Sequence, residues 1–369
     1  MSTGQKKFIY QSQKFSIQDI LSMSFDADQY NQLFLKTVAF VRSWFDDFSI
    51  IQQQTSGSTG KPKLITIEKK KMTASAKSTV ETLNLPKGSS AFLNLNTDYI
   101  GGKMMVVRAI INQMELYIGD ITSNPLKDLQ VSSQIDFFSF VPYQLSQILS
   151  ETPENAQLIN QSKAIILGGA PVSASLQSLI DQHLSCPVYS TYGMTETVSH
   201  IALKRLDTDA PSNYFKALKG VHFSADENKR LIIHAPNIAT KNPLVTNDVV
   251  KLIDQHTFDW LGRYDFVINS GGIKIHPEMV EKKISKVLAE SNANFNLFIF
   301  SQEDEQLGEK VCLMVEGEND NFDWTPIFSQ LAKYEKPKAV FYLKEFARTA
   351  SDKVDRLKSI RDWELGNRN

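Results

Sequence analysis

Thr55-Ser56-Gly57-Ser58-Thr59-Gly60-Lys61-Pro62-Lys63 is the stretch from which the rest of the chain is read. Its nine residues hold four hydroxyls, two glycines and two lysines. β-prone runs flank it, Ile50-Ile51 before and Leu64-Ile65-Thr66-Ile67 after. The pattern predicts a polar loop joining two strands. Glycines let backbone N–H groups approach an anion. Hydroxyls add adjustable donors, and lysines add charge. The combination suits a polyphosphate. A solvated Gly/Ser/Thr turn has the same composition and stays open as a reading. A Walker-type loop does not. It needs Gly at 55 and Ser or Thr at 62, where Thr55 and Pro62 stand. Pro62 also stops a helix from running through this point. The stretch is a phosphate loop of another kind, or none.

Outward from the loop, the chain alternates strand and helix patterns. Strands are expected at 64–67, 91–95, 114–118, 135–140, 163–167 and 187–190, with helices near 69–84, 99–112, 142–151 and 173–184. This alternation predicts a mainly parallel sheet covered by helices, with ligands at the C-terminal strand ends. Two polar loops fall at such ends, Gly168-Gly169-Ala170-Pro171 and Ser190-Thr191-Tyr192-Gly193-Met194-Thr195-Glu196. Before the loop come a Phe8-Ile9-Tyr10 strand, a Ser16-x-x-Asp19 helix start and an amphipathic helix carrying Leu33, Phe34, Val38, Val41, Trp44 and Phe45. Residues 200–260 read as a small antiparallel or distorted-barrel unit. Residues 266–369 read as a compact α+β unit with helices at 277–290, 325–334 and 355–364. The boundary is placed at Asp265, giving domains 1–264 and 265–369.

The totals exclude several classes. A net charge of −1 with 22% charged residues carries no nucleic-acid or membrane-surface signature. Lys69-Lys70-Lys71 reads as a solvated helix start. Two distant cysteines, Cys186 and Cys312, make neither a disulfide framework nor a CxxC metal site and fit a reducing compartment. The first residues lack the apolar core of a signal peptide, so a cytoplasmic protein is expected.

Five motifs then stand in register: TSGSTGKPK at 55–63, STYGMTET at 190–197, LVTND ending at Asp248, GRYDFVINSGGIKIHPEMVE at 262–281 and FARTASDKVDR at 346–356. Together they resemble the adenylate-forming (ANL) superfamily of acyl- and aryl-CoA ligases, peptide-synthetase adenylation domains and luciferases. The resemblance implies an α/β adenylating fold: a large N-terminal domain that binds ATP and acid, and a small mobile α+β C-terminal domain. It implies ATP, Mg2+ and coenzyme A as ligands and a small carboxylic acid as substrate.

Roles follow from the resemblance, residue by residue. Thr55, Ser56, Ser58, Thr59, Lys63 and the backbone of Gly57 and Gly60 would hold the triphosphate. Glu196 would ligate magnesium, and Thr195 would donate to the α-phosphate. Adenine would lie between Gly169, Ala170 and Pro171 on one side and the Tyr192 ring on the other, within the Ser190-Thr191-Tyr192-Gly193 segment. Asp248 would accept from the ribose hydroxyls, and Arg263 would reach the ribose or phosphates. Asp265 matches the hinge. Lys353 would neutralise charge at the α-phosphate. Gly271 and Gly272, with Lys274, would pass the pantetheine arm of coenzyme A. Bland readings stay beside these: a helix-start acid for Glu196, a turn aspartate for Asp248, a structural salt bridge for Arg263 and an exposed loop lysine for Lys353.

The sequence also departs from the family pattern. Leu64 follows the first motif where glycine is usual, Asn247 precedes Asp248, and Asp352 precedes Lys353. Only 54 residues precede the loop, which implies a shortened N-terminal domain. Within the family the chain most resembles the short o-succinylbenzoate–CoA ligases of menaquinone synthesis, which implies o-succinylbenzoate as the acid. The segment from Asp98 to Met105 looks like their substrate-side helix. That substrate has a second carboxylate, for which Lys103, Arg108 or the Ser199–His200 pair is expected to provide a site. Lys103 and Arg108 also read as surface charge. Another acyl- or aryl-CoA ligase, an enzyme loading a carrier protein, and a non-catalytic nucleotide-binding paralogue are the alternatives. The short start predicts a homodimer, or apolar surface covered by the helix near 30–47.

Overall fold

The computed structural model describes residues 5–54, 64–127, 129, 134–209, 211–291, 293, 295–318, 321–348 and 354–366. The phosphate-loop candidates Thr55 to Lys63 and the candidate Lys353 lie outside the described residues.

The strands Ser90–Leu93, Phe137–Phe140 and Ala164–Leu167 are buried along their whole length. Such mostly apolar, fully buried runs belong in parallel strands covered on both faces. They form the middle of a thirteen-stranded sheet. From one edge the order is Gln13–Ser16, Lys6–Tyr10, Glu115–Ile118, Ser90–Leu93, Phe137–Phe140, Ala164–Leu167 and Val188–Gly193. Every neighbouring pair from Lys6–Tyr10 to Val188–Gly193 is parallel. The sheet continues antiparallel through His200–Arg205, Phe215–Ala217, Thr257–Arg263, Leu244–Asp254, Arg230–His234 and His222–Ala225. Residues 200–260 are antiparallel, as expected, but they form no distorted barrel: they extend the main sheet, because His200–Arg205 pairs directly with Val188–Gly193 and carries the ladder across.

The chain start is packed as its sequence suggests. The Ser16 hydroxyl accepts from Asp19 N at 3.0 Å, and Asp19 Oδ2 accepts from Ser16 N at 2.8 Å, a complete capping box for the helix Ile17–Ser22. Asn31 caps the helix Gln32–Trp44 through Phe34 N at 2.8 Å and ties it to Gly119 O at 2.8 Å. That helix sinks Leu33, Phe34, Val38, Phe40 and Val41 into the core. Each such side chain stabilises by about 1.5–3 kcal/mol.

After Arg263 the pairing restarts. Ile268–Ser270, Ile273–Ile275, Leu297–Asp304, Gly308–Glu316 and Ala339–Leu343 form a second sheet. It is covered by the helix Pro277–Glu290 through Val280, Ile284 and Leu288. The helix expected at 325–334 ends at Ser329. Ile268–Ser270 and Ile273–Ile275 are joined by Gly271 and Gly272 at φ +58° and +81°. A two-residue hairpin of this type needs positive φ at both positions, which is why two glycines stand there. Among the described residues no helix is long and apolar enough to cross a membrane, and both cysteines are free and buried.

Candidate active site

The site forms where the sheet changes from parallel to antiparallel. The last parallel strand, Val188–Gly193, leads through a 3-10 turn at Thr195–Thr197 into the first antiparallel strand, His200–Arg205. Thr197 builds this turn. Its hydroxyl accepts from Met194 N at 2.9 Å and lies 2.8 Å from Ser199 O, to which it donates. Glu196 O accepts from Thr240 N at 2.7 Å, which fixes the loop backbone. Glu196 is exposed, and its carboxylate has no hydrogen-bond or ion-pair partner among the described residues. Magnesium keeps waters and phosphate oxygens and takes one or two protein carboxylates, so this donor fits it. The neighbouring loop Gly169-Ala170-Pro171 is exposed at the C-terminal end of Ala164–Leu167. It is joined to the Ser190-Thr191 segment through Thr191 Oγ1, which donates to Leu167 O at 2.9 Å.

A second group forms around Asp248, which is only 7% exposed. Its Oδ2 accepts from the Tyr192 hydroxyl at 2.6 Å, and its Oδ1 accepts from Trp260 Nε1 at 3.1 Å. Its own N–H donates to Thr246 Oγ1 at 3.1 Å. Burial, and then the Asp248 charge, hold the Tyr192 phenol well above its ordinary pKa, so it remains the donor. The Tyr192 ring packs edge-on to Phe258 at 5.1 Å between centroids. Arg263 stands opposite Asp248 in the ladder and reaches Asp265 Oδ2 at 3.2 Å, which Asn247 Nδ2 also reaches at 3.1 Å.

The joint to the second sheet is tight. Gly262 has φ +143°, and a Cβ there would sit 2.2 Å from Glu278 Oε2. Arg263 N donates to Glu278 Oε1 at 3.3 Å, while Arg356 reaches Glu281 Oε2 at 2.8 Å. Burial pushes the Glu281 carboxyl up to about 7, against the pull of Arg356. Gly262→Ala should therefore lower the thermal midpoint by several degrees, since overpacking of this kind costs about 1–3 kcal/mol. An unchanged midpoint on thermal unfolding would mean that the Pro277–Glu290 helix yields without resistance.

A third group is buried except for Ser199, which is partly exposed. Arg108 is 1% exposed, on the helix Ile100–Asn112. Its Nη2 donates to Ser199 Oγ at 2.9 Å and lies 3.5 Å from His200 Nδ1. The other His200 nitrogen lies 3.1 Å from Thr79 Oγ1. Burial pushes the Arg108 guanidinium down to about 9. Burial, and then Arg108, hold His200 well below its ordinary pKa, so it is neutral. No carboxylate pairs with Arg108 among the described residues, and its Nε has no hydrogen-bond partner there. The reading of Arg108 as surface charge is thus corrected: it is among the most buried large side chains of the chain.

The structure does not bring Lys103 to this group. Its Nζ donates to Gln53 Oε1 at 2.8 Å, on the strand Ile50–Gln54. Five residues on a helix turn the direction by about 140°, which separates Lys103 from Arg108. Gly271, Gly272 and Lys274 are exposed on the second sheet, and no hydrogen bond among the described residues joins them to the Asp248 group. Trp260 and Thr79 are site neighbours that lie outside the motifs, and Thr246 lies inside LVTND without having been given a role. Trp260 had a sequence signal in its position three residues before Arg263, and Thr79 had none.

Comparison with known proteins gives consistent relatives. A family model described as AMP-binding enzyme matches residues 27–222. A crystal structure of an acyl-CoA synthetase (AMP-forming)/AMP-acid ligase II-like protein from Dyadobacter fermentans is 35% identical. It covers 90% of this chain and 95% of its own, with a TM-score of 0.61. A 2-succinylbenzoate–CoA ligase of Geobacillus is 26% identical over 342 residues, 84% of this chain and 68% of its own. The o-succinylbenzoate coenzyme A synthetase of Bacillus subtilis, solved with ATP and magnesium, shares the fold at a TM-score of 0.67 and 22% identity. It covers 84% of this chain and 69% of its own.

Proposed function

Because the chain belongs to the AMP-binding enzyme family, we propose that it is an AMP-forming acid–coenzyme A ligase whose acid is o-succinylbenzoate. The observation that carries the choice of acid is the buried Arg108, held by Ser199 beside a neutral His200 with no carboxylate partner among the described residues. Leaving a cation buried and unpaired costs several kcal/mol, which a ligand carboxylate offsets. An acid with a second, unreactive carboxylate supplies that partner, and the 2-succinylbenzoate–CoA ligases among the relatives act on such an acid.

In the first half-reaction one carboxylate oxygen of the acid attacks the α-phosphorus of ATP. The bond to the β-phosphate oxygen breaks, and pyrophosphate leaves. In the second, the coenzyme A sulfur attacks the acyl carbon, its proton is lost, and AMP departs with the C–O bonding pair. Magnesium, when bound, neutralises phosphate charge. The chain's residues position the rest. Asp248 would accept from the ribose, Tyr192 and Gly169–Pro171 would flank the base, and Glu196 would ligate the metal. Thr195 and the 55–63 stretch would hold phosphates, and Lys353 would neutralise the departing charge. The division at 264/265, with Asp265 as hinge, would let the Gly271–Lys274 turn approach for the second half-reaction.

The test is pyrophosphate release across a panel of mono- and dicarboxylic acids, with and without coenzyme A. The proposal expects strong preference for o-succinylbenzoate. Release with simple fatty or benzoic acids alone would replace the acid, and binding of ATP without release would mark a non-catalytic nucleotide binder.

The acid site should also titrate. Arg108 is a cation at neutral pH and is lost as pH rises through about 9. The KM for the acid, measured in the adenylating half-reaction so that the thiol plays no part, should stay level to about pH 8. It should then climb by about tenfold per pH unit above the pKa. A KM that stays level to about pH 10 would mean that the guanidinium keeps its ordinary high pKa and remains charged in the site.

A further inference from the structure

We infer that Trp260 is a positioning residue for the nucleotide ribose: its indole N–H, with the Tyr192 hydroxyl, holds the Asp248 carboxylate in the orientation that accepts a cis-diol. The inference rests on the nucleotide-site reading above and deepens it.

The ladder geometry is what places Trp260 there. In a regular strand, residues three apart point to opposite faces. Trp260 and Arg263 would then not both face Asp248. The register is Val250 opposite Trp260, then Val249 opposite Gly262 and Asp248 opposite Arg263. Leu261 is the extra residue of a β-bulge. Cross-strand partners share a face, and so do residues two apart, so Val250, Asp248, Trp260 and Arg263 all come to one face. A bulge interrupts the ladder, and bulges recur beside active sites, where they re-aim a side chain.

The chemistry of the carboxylate fits that placement. Each carboxylate oxygen has about two acceptor directions. Tyr192 takes one on Oδ2 and Trp260 takes one on Oδ1, so one direction on each oxygen is left. Two free directions on one planar group match two adjacent hydroxyls. No cation pairs with the Asp248 carboxylate among the described residues. Its orientation therefore depends on these two neutral donors. Removing the indole N–H leaves Oδ1 of a buried carboxylate unsatisfied and free to turn.

The test uses the full chain and compares ATP with 2′,3′-dideoxy-ATP in pyrophosphate release with the acid substrate. Wild type should prefer ATP. Trp260→Phe keeps the ring and loses the donor. It should raise KM for ATP with little change in kcat and shrink the preference for ATP over the dideoxy nucleotide at least fivefold. A merely structural role would slow both nucleotides alike and leave their ratio fixed. A second measurement needs no change at Trp260. Its indole 1H–15N resonance, assigned by elimination with Trp44→Phe, Trp324→Phe and Trp363→Phe, should move on adding AMP and stay in place on adding 2′,3′-dideoxy-AMP. If wild type prefers ATP but Trp260→Phe keeps the ratio, or the resonance ignores both nucleotides, the inference falls while the nucleotide site stands. If wild type binds neither nucleotide, the nucleotide-site reading falls and takes the inference with it.

Discussion

Lys353→Ala is expected to slow adenylate formation by about a hundredfold or more while sparing transfer from a supplied acyl-adenylate to coenzyme A. Negative charge grows on the α-phosphate and on the pyrophosphate as their bond breaks. A lysine ammonium placed against it stabilises the transition state more than the ground state, so its loss appears in kcat. The second half-reaction discharges AMP and makes no such demand. The described residues on either side of Lys353 are anchored: Arg348 and Val354 form a β-bridge, and Asp355 N donates to Ala347 O at 2.8 Å. Ser359 Oγ accepts from Ala347 N at 3.0 Å. An alanine at 353 is not expected to disturb those contacts, so the fold should persist. The measurement is the two half-reactions run separately on purified variant. Equal loss in both would remove the division of labour between them.

Arg108→Ala should raise the KM for the acid by about a hundredfold, within the 2–5 kcal/mol expected when one member of a buried, hydrogen-bonded charge pair is removed. The KM for ATP should stay within about twofold. Arg108 is fully buried, so its truncation also leaves a cavity. Arg108→Met retains most of the stem without the charge and separates the two effects. Both variants should lose acid affinity alike if the charge matters. A KM for acid that stays at the wild-type value in a folded Arg108→Met would end the assignment.

The parallel half of the sheet was legible in sequence because its strands are short, mostly apolar runs alternating with helical patterns, as in Ala164–Leu167 before Gly168. The capping box at Ser16 and Asp19 was legible because it is local. The antiparallel half was legible as antiparallel but not as a continuation of the same sheet. Its short runs alternate with turns as a small barrel would, and nothing in the sequence marks His200–Arg205 as the partner of Val188–Gly193. The motifs indicated Asp248 and Arg263 but not the bulge at Leu261 that sets them opposite each other, since a bulge is a property of the pair of strands. Among the acid-site candidates, helical spacing could have parted Lys103 from Arg108. What it could not supply is that Ser199 and His200, ninety residues on in the chain, close over Arg108.

The most direct test of the central claim is the product mixture formed from ATP, magnesium, coenzyme A and o-succinylbenzoate, quantified by mass spectrometry. The account predicts equimolar AMP, pyrophosphate and o-succinylbenzoyl-CoA, with no AMP when the acid is omitted. ADP with phosphate, or AMP without any thioester, would contradict it.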